Sequence, residues 1–287
     1  MKQYLIGDTI FTWKEEGYSL EDDLFMENFR LKTTADKADY IFESQAADIE
    51  KMAEGELLQK NGLFELYENT KGKFIVYHWA RCRFAFGFWF EDLEKDGPVT
   101  YYFNPKIKEE IPLHAVRFFS CSGIHSKLLM EDAAVFHGSY VAYEKNGILF
   151  CGPSGAGKST QASLWEKLEN AEVINGDRVL LKKKDEVWQA FGYPCCGSSA
   201  VCKNATLPVK AIILLEHGEE NLLTEMTFGE KVKTIISGTE RYLWSEKELD
   251  RVCAIAGQIA LEVPMFRFSC TPDERAVKVL KRKLEEI

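Results

Sequence analysis

The stretch Gly147-Ile148-Leu149-Phe150-Cys151-Gly152-Pro153-Ser154-Gly155-Ala156-Gly157-Lys158-Ser159-Thr160 sets the kind of architecture to expect. Gly147 to Cys151 is a short apolar run of the kind a buried strand needs. Gly152 to Ser159 matches the spacing G-x-x-x-x-G-K-[ST], and Thr160 to Glu169 carries Ala162, Leu164, Trp165 and Leu168 on one side of a predicted helix. Strand, glycine loop and helix in this order predict a phosphate-binding loop. Its glycines free backbone N–H groups to surround phosphate oxygens, and the helix N-terminus adds partial positive charge. Lys158 would neutralise the β- and γ-phosphates, and the Ser159 hydroxyl would hold Mg²⁺. The expected nucleotide contacts are Gly152, Pro153, Ser154, Gly155, Ala156, Gly157, Lys158, Ser159 and Thr160.

The bounds on the rest follow from composition. With 287 residues, 46% of them hydrophobic, the chain has enough for two domains with separate cores. The net charge is −9, and the densest basic run, Lys182-Lys183-Lys184, reads as a hairpin edge, so nucleic acid is not the expected partner. The start lacks a secretory pattern and no run has the length of a membrane span, so a cytoplasmic protein away from the membrane is expected. The eight cysteines include no C-x-x-C pair, and free thiols are expected. Cys195, Cys196 and Cys202 fit no zinc pattern.

Residues 1–112 read as a β-rich domain of short strands with one helix, Ala46 to Lys60, ended by Asn61-Gly62. Within it Arg81 to Phe90 alternates with period two, placing Phe84, Phe86, Phe88 and Phe90 on one aromatic face; packing against that helix is the expected role, and stacking on rings of a ligand is the alternative. Prolines around residues 105–112 mark the boundary, and Leu113 to Leu129 is a candidate connecting helix. Residues 113–287 read as an alternating β/α succession. Its later helices are Phe228 to Leu243, Glu246 to Leu261 with a Ser245/Glu248 capping box, and a last one opened by Thr271, Pro272 and Glu274.

Phosphoryl chemistry needs a carboxylate for the metal and a group for the nucleophile's proton. Val173-Ile174-Asn175-Gly176-Asp177 is a strand ending in an acid, one helix beyond the loop. In a doubly wound sheet that end would aim Asp177 at the loop. A turn aspartate capping the following hairpin is the structural alternative. Glu216 closes the strand Ala211 to Leu215 in the same manner. His137 lies ahead of the loop strand, and spacing alone does not separate a catalytic from a packed histidine there.

From His137 through Ser159, the order of histidine-glycine pair, β-hairpin, glycine loop and then an acid-ending strand resembles the HPr kinase/phosphorylase family, which is allied to phosphoenolpyruvate carboxykinase. The resemblance covers residues 133 to about 182. It implies an α/β HPr-kinase-like P-loop domain preceded by a β-rich α+β domain that could shape the acceptor site. It further implies that Lys158 holds phosphates, Ser159 and Asp177 hold Mg²⁺, and His137 assists near the acceptor. Two departures stand out. The family has two adjacent aspartates where this chain has Gly176-Asp177, so Asp177 covers both roles or His137 or Glu216 supplies the base. The family's glycine-rich stretch for its protein substrate is not recognisable.

The expectation is therefore an ATP- and Mg²⁺-dependent kinase, a transferase acting on a hydroxyl of a peptide, protein or small metabolite. The alternatives are a nucleotide-binding regulatory or scaffold protein without transfer, and a carboxykinase-like enzyme. Whether copies associate into a homo-oligomer is left open.

Overall fold

In the computed structural model the chain is mixed α/β and divides into two compact units, Met1–Lys127 and Leu128–Ile287. The structure describes all residues except 16, 18, 22, 61, 63, 80, 81, 96, 108–113, 115–117, 120, 243 and 244, and the side chains of 79 and 198. The expected junction at 112 and 113, the Asn61 of the helix-ending pair and most of Leu113 to Phe119 lie outside the described residues.

The first unit is built on an eight-stranded sheet. Its strands are β1 (Lys2–Ile6), β2 (Thr9–Lys14), β3 (Tyr40–Ala46), β4 (Glu56–Lys60), β5 (Phe64–Asn69), β6 (Gly72–Trp79), β7 (Cys82–Trp89) and β8 (Val99–Phe103). They lie in the order β1-β2-β3-β8-β7-β6-β5-β4, with β3 parallel to both of its neighbours and the other pairs antiparallel. Two four-residue helices, α1 (Leu24–Glu27) and α2 (Ile49–Met52), accompany them.

The expected helix from Ala46 to Lys60 is not formed. Ala46 ends β3, Asp48 caps the single turn of α2, and Glu56 to Lys60 pairs with β5 as an edge strand. Backbone pairing overrides the helical spacing because Gly55 passes so close to the neighbouring strand that a Cβ there would meet the Glu68 carbonyl at 2.3 Å. Leu57 and Leu58 of this edge strand are exposed. Residues 29–33 meet β1 through an isolated bridge between Tyr4 and Arg30. The aromatic strand packs in the unit, but not by one face as expected: Phe84 lies half-buried with Trp89 on the Ile49/Ala53 cluster, while Phe88 meets Tyr101 at 4.9 Å and stacks on Tyr77 at 6.2 Å, the β6/β7 register shifting between Tyr77 and Trp79.

Helix α3 (Ile124–Met130) covers the end of the expected connecting helix. The second unit then runs β9 (Ala133–His137), β10 (Ser139–Tyr143), β11 (Asn146–Cys151), α4 (Lys158–Glu169), β12 (Glu172–Asn175), β13 (Arg178–Lys184), β14 (Val187–Gly192) and β15 (Thr206–His217). It continues with β16 (Leu222–Glu225), α5 (Phe228–Gly238), α6 (Glu246–Glu262), β17 (Met265–Cys270) and α7 (Glu274–Glu285). The sheet order is β12-β10-β11-β15-β14-β13-β9, with β17 on β15 and β16 on β17.

This sheet is not doubly wound: only β11/β15 and β15/β17 pair in parallel. The site geometry survives for another reason. β10 is antiparallel to both β11 and β12, so β11 and β12 run in one direction and end at one edge. The start of β10 and the ends of β15 and β17 lie at that same edge. From Gly147 onward the loop strand is apolar and buried because both faces are covered. Ile148 and Phe150 pack with Trp165 of α4 and Leu280 of α7, while Leu149 and Cys151 pack with Ile235 of α5 and Ile255 of α6.

Three helix ends differ from expectation. α5 stops at Gly238, where a Cβ would meet the Phe136 ring at 2.4 Å. The capping box of α6 is half complete: the Ser245 hydroxyl accepts from the Glu248 N–H, but the Glu248 carboxylate accepts from the Tyr242 N–H instead of the Ser245 N–H. The last helix is capped by Asp273, not by Thr271. Among the described residues no helix is long and apolar enough to cross a membrane, and no disulfide is formed.

Candidate active site

The glycine loop leaves β11 at Cys151 and enters α4 at Lys158. Gly152, Gly155 and Gly157 all have positive φ (141°, 82° and 96°), the conformation that lets successive N–H groups converge. Gly152 also has no room for a side chain, since a Cβ would meet the Leu215 carbonyl at 2.9 Å. Gly157 is the N-cap of α4 and supplies no side-chain cap, so the first-turn N–H groups face the loop. The Lys158 ammonium donates to the carbonyls of Gly152 (2.9 Å) and Pro153 (3.2 Å), and His217 Nε2 lies 2.8 Å from the Gly155 carbonyl.

A cleft of about 390 Å³ runs beside the loop and is lined by Ser154, Gly155, Gly157, Lys158, Ser159 and Thr160 together with His137, Gly176, Asp177 and Ser199. His137 and Asp177 are thus brought to the loop, as the strand directions require. Two corners of the sheet place them. The chain turns from β9 into β10 at Gly138 and from β12 into β13 at Gly176-Asp177, and the corners are tied by Gly138 N–H to Asp177 C=O (2.9 Å) and by Ser139 Oγ to Gly176 C=O (3.0 Å).

His137 Nδ1 lies 3.7 Å from Asp177 Oδ1, while Arg178 holds Asp177 Oδ2 through one guanidinium nitrogen and Glu240 through Nε at 3.0 Å. Burial pushes the His137 pKa below the usual histidine range against the pull of the Asp177 carboxylate, and Lys158 and Arg178 add to the lowering. These neighbours favour the neutral ring, the form that can accept a proton.

Glu216 does not join them. It sits at the end of β15, accepts from Arg267 at 2.8 Å, and is not among the residues lining the cleft. Arg267 bridges it to Glu230 at 2.7 Å.

The segment after β14 contributes groups that spacing did not single out. Asn175 is fully buried and donates to the carbonyls of Tyr193 (2.7 Å) and Cys195 (3.2 Å), while its own side-chain carbonyl accepts from the N–H groups of Asp177 (2.8 Å) and Arg178 (3.0 Å). This clamps residues 193–203 over the strand end and delivers Ser199 to the cleft. A Cβ on Gly176 would meet the Ser199 Cβ and Oγ at 2.2 Å, so Ser199 leaves no room for a side chain at that position. The signal for this in the sequence was the Gly192 to Gly197 stretch, whose meaning depends on where it folds.

Ser159 and Asp177 offer a hydroxyl and a carboxylate oxygen in one cleft, the hard donors Mg²⁺ takes when nucleotide phosphates and water complete its shell. Among the described residues no group of three or more His, Cys, Asp or Glu forms a protein metal cage.

No known family profile matches the chain, and no curated protein matches it in sequence. Among solved structures, the HPr(Ser) kinase/phosphatase from Coxiella burnetii is similar at 14% identity over 53% of this chain and 93% of that one, with a TM-score of 0.32, too low to establish a common fold.

Proposed function

We propose that the second unit is an ATP- and Mg²⁺-dependent kinase that transfers the γ-phosphoryl group to a hydroxyl. The observation that carries this reading is the convergence of the loop, Lys158, Ser159, His137 and Asp177 on one cleft. The loop N–H groups and Lys158 bind and orient the phosphates. Ser159 and Asp177 would hold Mg²⁺, which when bound neutralises charge on the phosphate oxygens. The acceptor oxygen bonds to the γ-phosphorus as the bond to the β–γ bridging oxygen breaks, its electron pair leaving on ADP. His137, with Nδ1 turned toward Asp177, takes the hydroxyl proton on Nε2.

A second reading, nucleotide binding without transfer, is favoured by two observations: Arg178 occupies Asp177 Oδ2, and Ser199 fills the space a second acid at position 176 would need. Incubation with γ-labelled ATP and cell extract separates the two, because only a kinase moves label to a new species. Lys158→Ala is expected to abolish transfer and weaken ATP binding with the thermal midpoint kept, and unchanged turnover in that variant would sink the kinase reading.

A further inference from the structure

A second chamber of about 530 Å³ lies in the same unit and shares His137, Gly152 and Pro153 with the surroundings of the loop. Its apolar side is Phe136, Cys151 and Leu214, and burial pushes the Cys151 thiol up to about 12, so it lines the chamber as a neutral group. Its polar side comes from α5 and β17 through Glu230, Lys233, Thr234 and Arg267.

We propose that this chamber is the acceptor site and that its occupant is a small alcohol with an apolar body and a carboxylate. The assignment rests on the kinase reading. A transfer enzyme needs two sites that meet at the reacting atoms, and His137 borders both the 390 Å³ cleft and the 530 Å³ chamber. The volume is that of a whole small molecule, whereas a serine presented by a protein surface needs room for one short side chain. The charge pattern selects an anion. Arg267 is shared by two carboxylates, Glu216 and Glu230, so it has no charge left for a ligand, whereas Lys233 is exposed and has no ion-pair partner among the described residues. One ammonium suits a carboxylate; phosphate recognition usually recruits a guanidinium fork or several donors.

The test uses the full chain with γ-labelled ATP and a cell extract divided by ultrafiltration into a small-molecule fraction and a retained protein fraction. Label is expected in the small-molecule fraction, and methyl esterification of that fraction beforehand should abolish it. Lys233→Glu should raise the KM for that fraction roughly tenfold or more, and Thr234→Trp, which fills the chamber, should block labelling. Both variants should keep wild-type affinity for a fluorescent ATP analogue and a wild-type thermal midpoint. Label in the protein fraction alone overturns the chamber while the kinase reading stands, and label in neither fraction overturns both. Small-molecule labelling that survives Thr234→Trp in folded protein overturns the site. Labelling blocked by Thr234→Trp but insensitive to esterification and to Lys233→Glu overturns the carboxylate.

Discussion

His137 has two sets of neighbours that pull its proton in opposite directions: burial and the cations Lys158 and Arg178 disfavour the imidazolium, while Asp177 favours it. The first effect wins, so the folded pKa is lowered, and the neutral ring is lost only as pH falls below the usual histidine range. The acid limb of the transfer rate is therefore expected to have its midpoint below that of a free histidine. His137→Gln should remove that limb and lower kcat about 100-fold or more with little change in the KM for ATP, measured on folded protein. Gly176 gives a second test at this scale. Gly176→Asp should destabilise the chain by about 1–3 kcal/mol through overlap with Ser199, and Ser199→Gly in the same chain should restore most of the loss in a denaturant titration.

Among the elements, the clamp on the end of β12 is what gives Asp177 its place. Four hydrogen bonds to backbone groups converge on the buried Asn175, so Asn175→Ala is expected to cost about 2–4 kcal/mol in denaturant unfolding and to lower activity per folded molecule. Asn175 was legible only as the residue before Gly176-Asp177, because its partners Tyr193 and Cys195 lie one hairpin away in sequence. The strand, loop and helix of 147–169 were legible directly, since their periodicity and glycine spacing are local. Residues 46–60 were misread for the converse reason. Their spacing suits a helix, but the backbone of 56–60 pairs with β5, and no local pattern records that competition.

At the scale of the molecule, the two units are held by different means. The second buries apolar side chains on both sides of its sheet. The first, besides its aromatic core, places a charged group inside: Glu65 is fully buried beside Lys60 (2.8 Å), Arg83 (3.0 Å) and the Tyr67 hydroxyl (2.6 Å). Burial raises its carboxyl pKa, but the hydrogen bonds from Lys60, Tyr67 and Arg83 together outweigh it and hold the group at about 2. A depressed carboxylate contributes stability that is present above its unfolded pKa and lost as pH falls toward about 2. Urea unfolding of the full chain should weaken through that window, and Glu65→Gln should be less stable at neutral pH with a shallower acid dependence.

Local sequence was enough to specify the glycine loop with its flanking strand and helix, because these are written in neighbouring residues whose spacing reflects local backbone geometry, whereas Asp177, expected at a strand end, sits in the turn between β12 and β13. The remaining features come from tertiary packing. That His137 faces Asp177 follows from two sheet corners packed side by side, that Ser199 reaches the cleft follows from a clamp across a hairpin, and that Glu216 pairs with Arg267 follows from the register of β15 on β17. Each of these depends on groups far apart in the chain, whose meeting is set by strand pairing and by the burial of polar atoms that must find partners.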